Sequence, residues 1–161
     1  MSRETLDPLR AQLVRFLDWH EARVDFDQAV DGIPPASHGV VPERLPHSPW
    51  QILEHLRRAQ ADILDFCVSS DYKEKAWPDD YWPAPAPGGD RDWDESVTGY
   101  RRDLKAFKEL VQRQPDLLAA VPNATRPDQT CLRAVLLAAD HAAYHIGQLV
   151  LVRRLLGIWP T

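Results

Sequence analysis

Asp140-His141-Ala142-Ala143-Tyr144-His145-Ile146-Gly147-Gln148 lies inside the long apolar run from Cys131 to Ile158, and its reading decides the fold. Leu132, Val135, Ala139, Ala142, Ile146 and Leu149 recur at helical spacing and form a core face. Leu136, Ala143, Gly147, Val150 and Leu151 make much of the opposite side apolar as well. A helix apolar nearly all round is buried nearly all round, so this one is expected to lie at the centre of a helical domain. Its second apolar face then needs a cover, and a two-fold homodimer through this helix and the neighbouring surface is the commonest way to supply one.

At about 100° per residue, Ala138, His141, His145, Gln148 and Val152 fall on a second inward stripe. Two histidines four apart share one face, one turn above each other, so both imidazoles can reach a single divalent ion. A third ligand from a facing helix would leave one position open for water or substrate. His55 is taken as that third ligand. By itself H-x-x-x-H suits two hydrogen-bonded core histidines as well as it suits a metal. Stacked imidazoles on an apolar face do carry a large desolvation cost unless something polar binds them together. The zinc-protease pattern is excluded, because Ala142 stands where that motif has a glutamate base.

Working outward, Ser48-Pro49 is a helix start: the serine side chain caps free N–H groups, and proline at the first position lacks the N–H that would be orphaned. Gln51 completes a capping box. This second helix carries Ile52, Leu53, Leu56, Ala59, Ile63, Leu64, Phe66 and Cys67 on one arc, with His55 at its edge. Glu54, Arg57, Arg58, Ala61, Asp62 and Asp65 fall on or near the opposite arc. The first helix is expected from about Thr5 to about Val30, with Leu6, Leu9, Leu13, Phe16, Leu17, His20 and Val24 on one stripe. His20 therefore faces inward, more as a core histidine than a ligand. The third helix is expected over about Asp92 to Gln114, with Val97, Tyr100 or Arg101, Leu104, Phe107, Lys108 and Val111 on a thinner stripe. Thr130 or Asp128 can cap the last helix.

Two proline-rich segments interrupt these helices. Asp31 to His47 reads as a loop, with His38 and His47 as solvated side chains, His47 close enough to a helix start to lie near a site mouth. Ser70 to Asp92 contains Trp77-Pro78, Tyr81-Trp82-Pro83 and Gly88-Gly89, so a regular helix is precluded. Its aromatics Tyr72, Trp77, Tyr81 and Trp82 imply a loop packed onto the bundle or roofing a pocket.

Composition sets the frame. The 161 residues are expected to form a single domain, 1–161, large enough to bury one core. An apolar fraction of 44% and a charged fraction of 27% are those of an ordinary globular protein. A formal charge of -5, with pI near 5.6, gives no general attraction to phosphate backbones, which argues against nucleic acid as a partner. Met1-Ser2-Arg3-Glu4 has no leader pattern, and no window approaches the ~18 uninterrupted apolar residues of a spanning helix. A cytoplasmic location without membrane contact is the expectation, with Cys67 and Cys131 as buried free thiols.

Ser48-Pro49-Trp50-Gln51-Ile52-Leu53-Glu54-His55-Leu56, the Tyr81-Trp82-Pro83 loop, the Asp140–Gln148 stretch and Arg153-Arg154-Leu155-Leu156-Gly157 together resemble the DinB-like family of damage-inducible and related bacterial proteins. The resemblance covers nearly the whole chain, from the first helix to Trp159. It implies an all-α four-helix bundle of up-down-down-up topology with long crossover loops. It also implies a divalent metal on His55, His141 and His145, and a dimer.

Characterised relatives in the broader superfamily include thiol S-transferases that use bacillithiol, mycothiol or glutathione, and mycothiol-dependent isomerases. By resemblance, then, the expected function is metal-dependent thiol transfer onto small electrophilic substrates, with a low-molecular-weight thiol as cofactor. Metal-dependent hydrolysis and a non-catalytic dimeric metal-binding or stress-response role stand as alternatives. Zinc or nickel suits an imidazole-rich site, with iron or manganese also admissible. Gln148, three residues from His145, is placed to orient bound water or substrate. Asp62, with Glu54 and Asp140, is a candidate carboxylate partner for a ligand histidine, Asp62 from a position opposite the last helix. Tyr144 belongs either to the site or to the dimer interface.

Overall fold

The computed structural model describes residues 3–160. Its elements, in chain order, are helices α1 (Arg3–Phe16), α2 (Phe26–Val30), α3 (Pro49–Val68), α4 (Asp92–Arg113) and α5 (Cys131–Leu155), with a 3-10 turn at Pro35–Ser37. The fold is all-α, with four long helices and the short α2, and no strand occurs among the described residues. Met1, Ser2 and the side chain of Leu6, which the sequence reading used, lie outside what is described.

The expected first helix is divided. α1 ends at Phe16, and Asp25 starts α2 afresh: its carboxylate accepts from Gln28 N at 2.8 Å while Gln28 Oε1 accepts from Asp25 N at 3.2 Å. A reciprocal cap of this kind satisfies N–H groups that a continuous helix would have paired internally, so it marks a boundary. Between the two helices Asp18 pairs with Lys108 of α4. His20, expected to face inward, is exposed in this connection.

α3 packs against both α4 and α5, while α1 lies on α4 and α2 on α5. Two apolar clusters result. One joins Phe26, Trp50, Leu53, Trp93, Tyr100, Ile146 and Leu149; the other joins Leu13, Cys67, Phe107, Leu117, Cys131 and Val135. α5 contributes to both, the boundary falling between Ala138 and Ala142, where His141 sits. Cys67 and Cys131 are buried free thiols, and burial pushes Cys67 up to about 12.

α5 starts where Thr130 caps it, the hydroxyl accepting from Arg133 N at 3.2 Å. Its composition and length would also serve a membrane-crossing helix, with a mean hydropathy of 1.4, yet half of that apolar stretch is buried inside the molecule. Leu136, Leu137, Tyr144, Leu151 and Leu155 stay exposed on the other side. Val150, expected on that side, is buried at 8% exposure.

At the far end of α5, Arg153 is only 1% exposed, and among the described residues no carboxylate pairs with it. Its guanidinium donates to the carbonyls of Ala29 at 2.7 Å, Gln28 at 3.1 Å and Ile158 at 3.3 Å. The first two belong to the C-terminal turn of α2, whose carbonyls lack helical partners and favour a cation. Trp159 covers the charge, 4.8 Å below it. Arg153 thus pins α2 and the C-terminal segment to α5.

Candidate metal centre

Ser48 caps α3 as expected: its hydroxyl accepts from Gln51 N at 3.2 Å, and Gln51 Oε1 accepts from Ser48 N at 3.1 Å. The same two side chains hold the 69–91 connection, Ser48 Oγ donating to Pro85 O at 2.5 Å and Gln51 Nε2 to Pro83 O at 3.2 Å. This connection is consequently strapped along the first turns of α3, and it passes over His55.

His55, 1% exposed, lies with Nδ1 3.2 Å from the carbonyl of Tyr81. A carbonyl only accepts, so Nδ1 carries the proton and Nε2 presents its lone pair. That Nε2 stands 3.0 Å from Nε2 of His141. Ring centroids are 5.0 Å apart for His55 and His141, and 4.5 Å for His55 and His145 and for His141 and His145. One nitrogen from each of the three lies within 4.8 Å of the others, and the group could hold a metal ion. Two nitrogens each about 2.0–2.1 Å from a tetrahedral zinc stand roughly 3.3 Å apart, close to the 3.0 Å between His55 Nε2 and His141 Nε2.

The electrostatics fit as well. Burial drives His55 down to about 4, aided by the neighbouring His141 and opposed by the Tyr81 carbonyl. Burial drives His145 down to about 3, aided by His141 and His55. His141 is also lowered by burial, with Asp140 opposing. Neutral imidazoles crowded together with a buried, unpartnered Nδ1 on His145 are a donor set without a cation of its own.

Trp82 builds one wall. Its indole is stacked on His55 at 3.9 Å and 2°, and on His47 at 3.9 Å and 12°. Two near-coplanar rings cannot share one face at that distance, so the indole is sandwiched between them. His47 is therefore a packed residue, not a solvated one. His38 corrects the same expectation: it is 9% exposed, stacked 3.8 Å from Trp93, with Nε2 3.2 Å from Ile33 O. Prolines flanking both residues hid this from the sequence, because they signal a loop and say nothing of what the loop packs on.

The carboxylates lie elsewhere than expected. Asp62 is 8% exposed and accepts from the Tyr81 hydroxyl at 2.7 Å and the Tyr72 hydroxyl at 3.5 Å, with Lys75 at 3.7 Å. It reaches His55 only through Tyr81, whose carbonyl is the group on the ring. Glu54 is buried at 6% exposure and bound by Arg57, Arg58 and the Ser96 hydroxyl, the last at 2.9 Å. Asp140 is exposed and has no hydrogen bond to a ring nitrogen of the triad.

Gln148 lies beside His145 and favours its charged form, yet no hydrogen bond of ordinary geometry joins them and Gln148 Oε1 is buried unpaired. Tyr144 sets its ring edge-on to His145 at 4.9 Å while remaining 63% exposed, so it borders the site and the uncovered face of α5 together. A cavity of about 470 Å³ beyond Asp62, floored by Phe66, Tyr72 and Arg133, does not touch the histidines. The triad, not this hollow, concentrates the chemistry.

Fold and site define a class: all-helical proteins in which two helices bring three histidines to one point. The family model of the DinB superfamily matches residues 18–149, and the chain belongs to that superfamily. No curated protein and no solved structure matches it.

Proposed function

We propose that this protein is a metal-dependent enzyme that holds a divalent ion, zinc or nickel, on His55, His141 and His145 and transfers a low-molecular-weight thiol to small electrophilic substrates. The observation that carries the reading is the 3.0 Å approach of two imidazole Nε2 atoms, with a third imidazole 4.5 Å from both rings, in a buried setting that keeps them neutral. Neutral imidazole is a preferred donor for such ions. Bound there, a divalent ion would lower the pKa of a coordinated thiol, which is the chemistry it supplies.

The protein's own part is positional. Tyr81 fixes the tautomer of His55 through its carbonyl, Trp82 fixes the plane of that ring, and α5 fixes the other two at one-turn spacing. Three protein ligands leave room for an exchangeable one, the arrangement of catalytic rather than closed structural sites. A homodimer through the exposed Leu136, Leu137, Tyr144, Leu151 and Leu155 face accompanies the proposal.

Elemental analysis of purified protein beside His145→Ala tests the site. A stoichiometric ion in the parent that is absent from the variant supports the triad; equal content overturns it. Loss of free thiol in the presence of a small electrophile, dependent on that ion, tests the reaction. Ion-dependent ester cleavage without thiol consumption would replace transfer by hydrolysis.

A further inference from the structure

The cavity of about 470 Å³ beyond Asp62 is bordered by α3, α5 and the connections 69–91 and 114–130. Ile63 and Phe66 of α3 and Ala134 and Leu137 of α5 make its apolar side, and its charged members are Asp62, Glu74 and Arg133. Asp62 is already engaged: Oδ2 accepts from the hydroxyls of Tyr81 and Tyr72, and Oδ1 is buried beside Lys75. Glu74 and Arg133 are exposed and opposite in charge, yet they do not pair with each other, and among the described residues no other side chain pairs with either.

Arg133 stands in the first turn of α5, three residues after the Thr130 cap, where the helix dipole favours an anion and opposes a cation. No acidic residue in that turn offsets it. An anion bound there would meet the guanidinium and the positive end of the helix together. The hydrogen-bonding capacity left over beside it consists of donors. Gln129 Oε1 already accepts from Thr125 and Arg126, which leaves Nε2, and Thr130 Oγ1 accepts from Arg133 N, which leaves its O–H. The unused acceptors of the lining are the Glu74 carboxylate and Oδ1 of Asn123, whose Nδ2 is spent on Phe66 O and Ser69 O. Size narrows the ligand further. An apolar cavity of about 150 Å³ accommodates benzene. A single amino acid would therefore leave much of 470 Å³ empty.

We infer that this cavity is a second binding site, separate from the trihistidine centre, and takes a zwitterion of dipeptide size with apolar side chains. Its carboxylate lies on Arg133, Gln129 Nε2 and the Thr130 hydroxyl, its ammonium on Glu74, and its apolar part on Phe66 and Leu137. None of the three histidines lines the cavity, so the inference stands or falls independently of the metal reading.

The test is an amide-detected NMR titration of the protein as purified, with leucyl-leucine, N-acetyl-leucyl-leucine and leucyl-leucinamide as probes. Expected are saturable shifts at Glu74, Arg133 and Ala134 with leucyl-leucine, and an affinity about tenfold or more weaker when either end is blocked, since each block removes a charge-assisted contact. Arg133→Gln and Glu74→Gln change exposed side chains and leave the fold intact. Each should weaken leucyl-leucine by a similar factor. Arg133→Gln should leave leucyl-leucinamide, which has no carboxylate, unaffected, and Glu74→Gln should do the same for the N-acetyl peptide, which has no ammonium. No saturable shift at millimolar ligand overturns the inference, as do equal affinities for blocked and free peptides or unchanged affinity in both variants. Saturable shifts confined to His55, His141 and His145 would place the peptide at the trihistidine centre and overturn it equally.

Discussion

The hydroxyl of Tyr81 donates to Oδ2 of Asp62 at 2.7 Å while the carbonyl of the same residue lies 3.2 Å from Nδ1 of His55. One loop residue thus ties a carboxylate on α3 to an imidazole two turns earlier on the same helix. Such outer partners typically alter metal affinity 10–100-fold when removed. Tyr81→Phe, which keeps the backbone carbonyl but frees it to move, is expected to weaken metal retention about tenfold, measured by competition with a chromophoric chelator. An unchanged affinity would show that Asp62 only holds the loop.

Because the candidate ligands come from two helices, an ion that binds them adds a cross-link between α3 and α5. Binding to the folded state alone stabilises by about 2.7 kcal/mol at a hundredfold excess over Kd. Titrating zinc into chelator-treated protein should raise Tm, with no rise in His55→Ala or His141→Ala. An equal rise in the variants would place the ion elsewhere.

Trp82 supplies two stacked contacts at 3.9 Å. Removal of a half-buried tryptophan with such contacts is expected to cost about 2–4 kcal/mol in chemical denaturation, and to release His47 and His55 together. Imidazole proton spectra of Trp82→Ala should show both rings shifted, because the indole loses its ring-current effect on each. Movement of one ring only would contradict the sandwich.

His38 gives a pH dependence separate from the triad. Burial holds it below the ordinary value of 6.5, against the opposing effect of its bond to Ile33 O. Between 6.5 and that lowered value the unfolded chain binds a proton that the folded chain does not, so stability falls as pH falls through this window. His38→Phe should reduce, without abolishing, the fall in unfolding free energy below pH 6.5 in chelator-treated protein, since the lowered His55 and His145 keep their own share of the slope. A slope equal to that of the parent would exclude His38 as a contributor.

Arg153→Met should destabilise by about 3 kcal/mol or more, since the carbonyls of Gln28, Ala29 and Ile158 lose their donor at once. Urea denaturation measures it, and a loss below about 1 kcal/mol would mean that water replaces the guanidinium without penalty.

How much was legible in the sequence differs from element to element. Ser48-Pro49 marks the start of α3, and of the two candidates Thr130 and Asp128 it is Thr130 that caps α5, because a cap is a local hydrogen bond between residues three apart. The His141 and His145 spacing needed only the helical period. Periodicity does not mark the break between Phe16 and Phe26, because apolar residues continue at helical spacing across it; the reciprocal bonds of Asp25 and Gln28 enforce it. Helical period puts Glu54 on the arc opposite the apolar one, and α4 buries it there against Ser96.

By itself the sequence determined the starts of α3 and α5, the course of α4 and the candidacy of three histidines, since each follows from periodicity or from bonds between near neighbours. Only the tertiary structure decided that Tyr81 rather than a carboxylate faces His55, that Trp82 is held between His47 and His55, and that Glu74 and Arg133 share a hollow. Those relations join residues from 26 to 59 positions apart. Nothing in the local spacing of the chain encodes such approaches; they exist only once helix packing has fixed which surfaces meet.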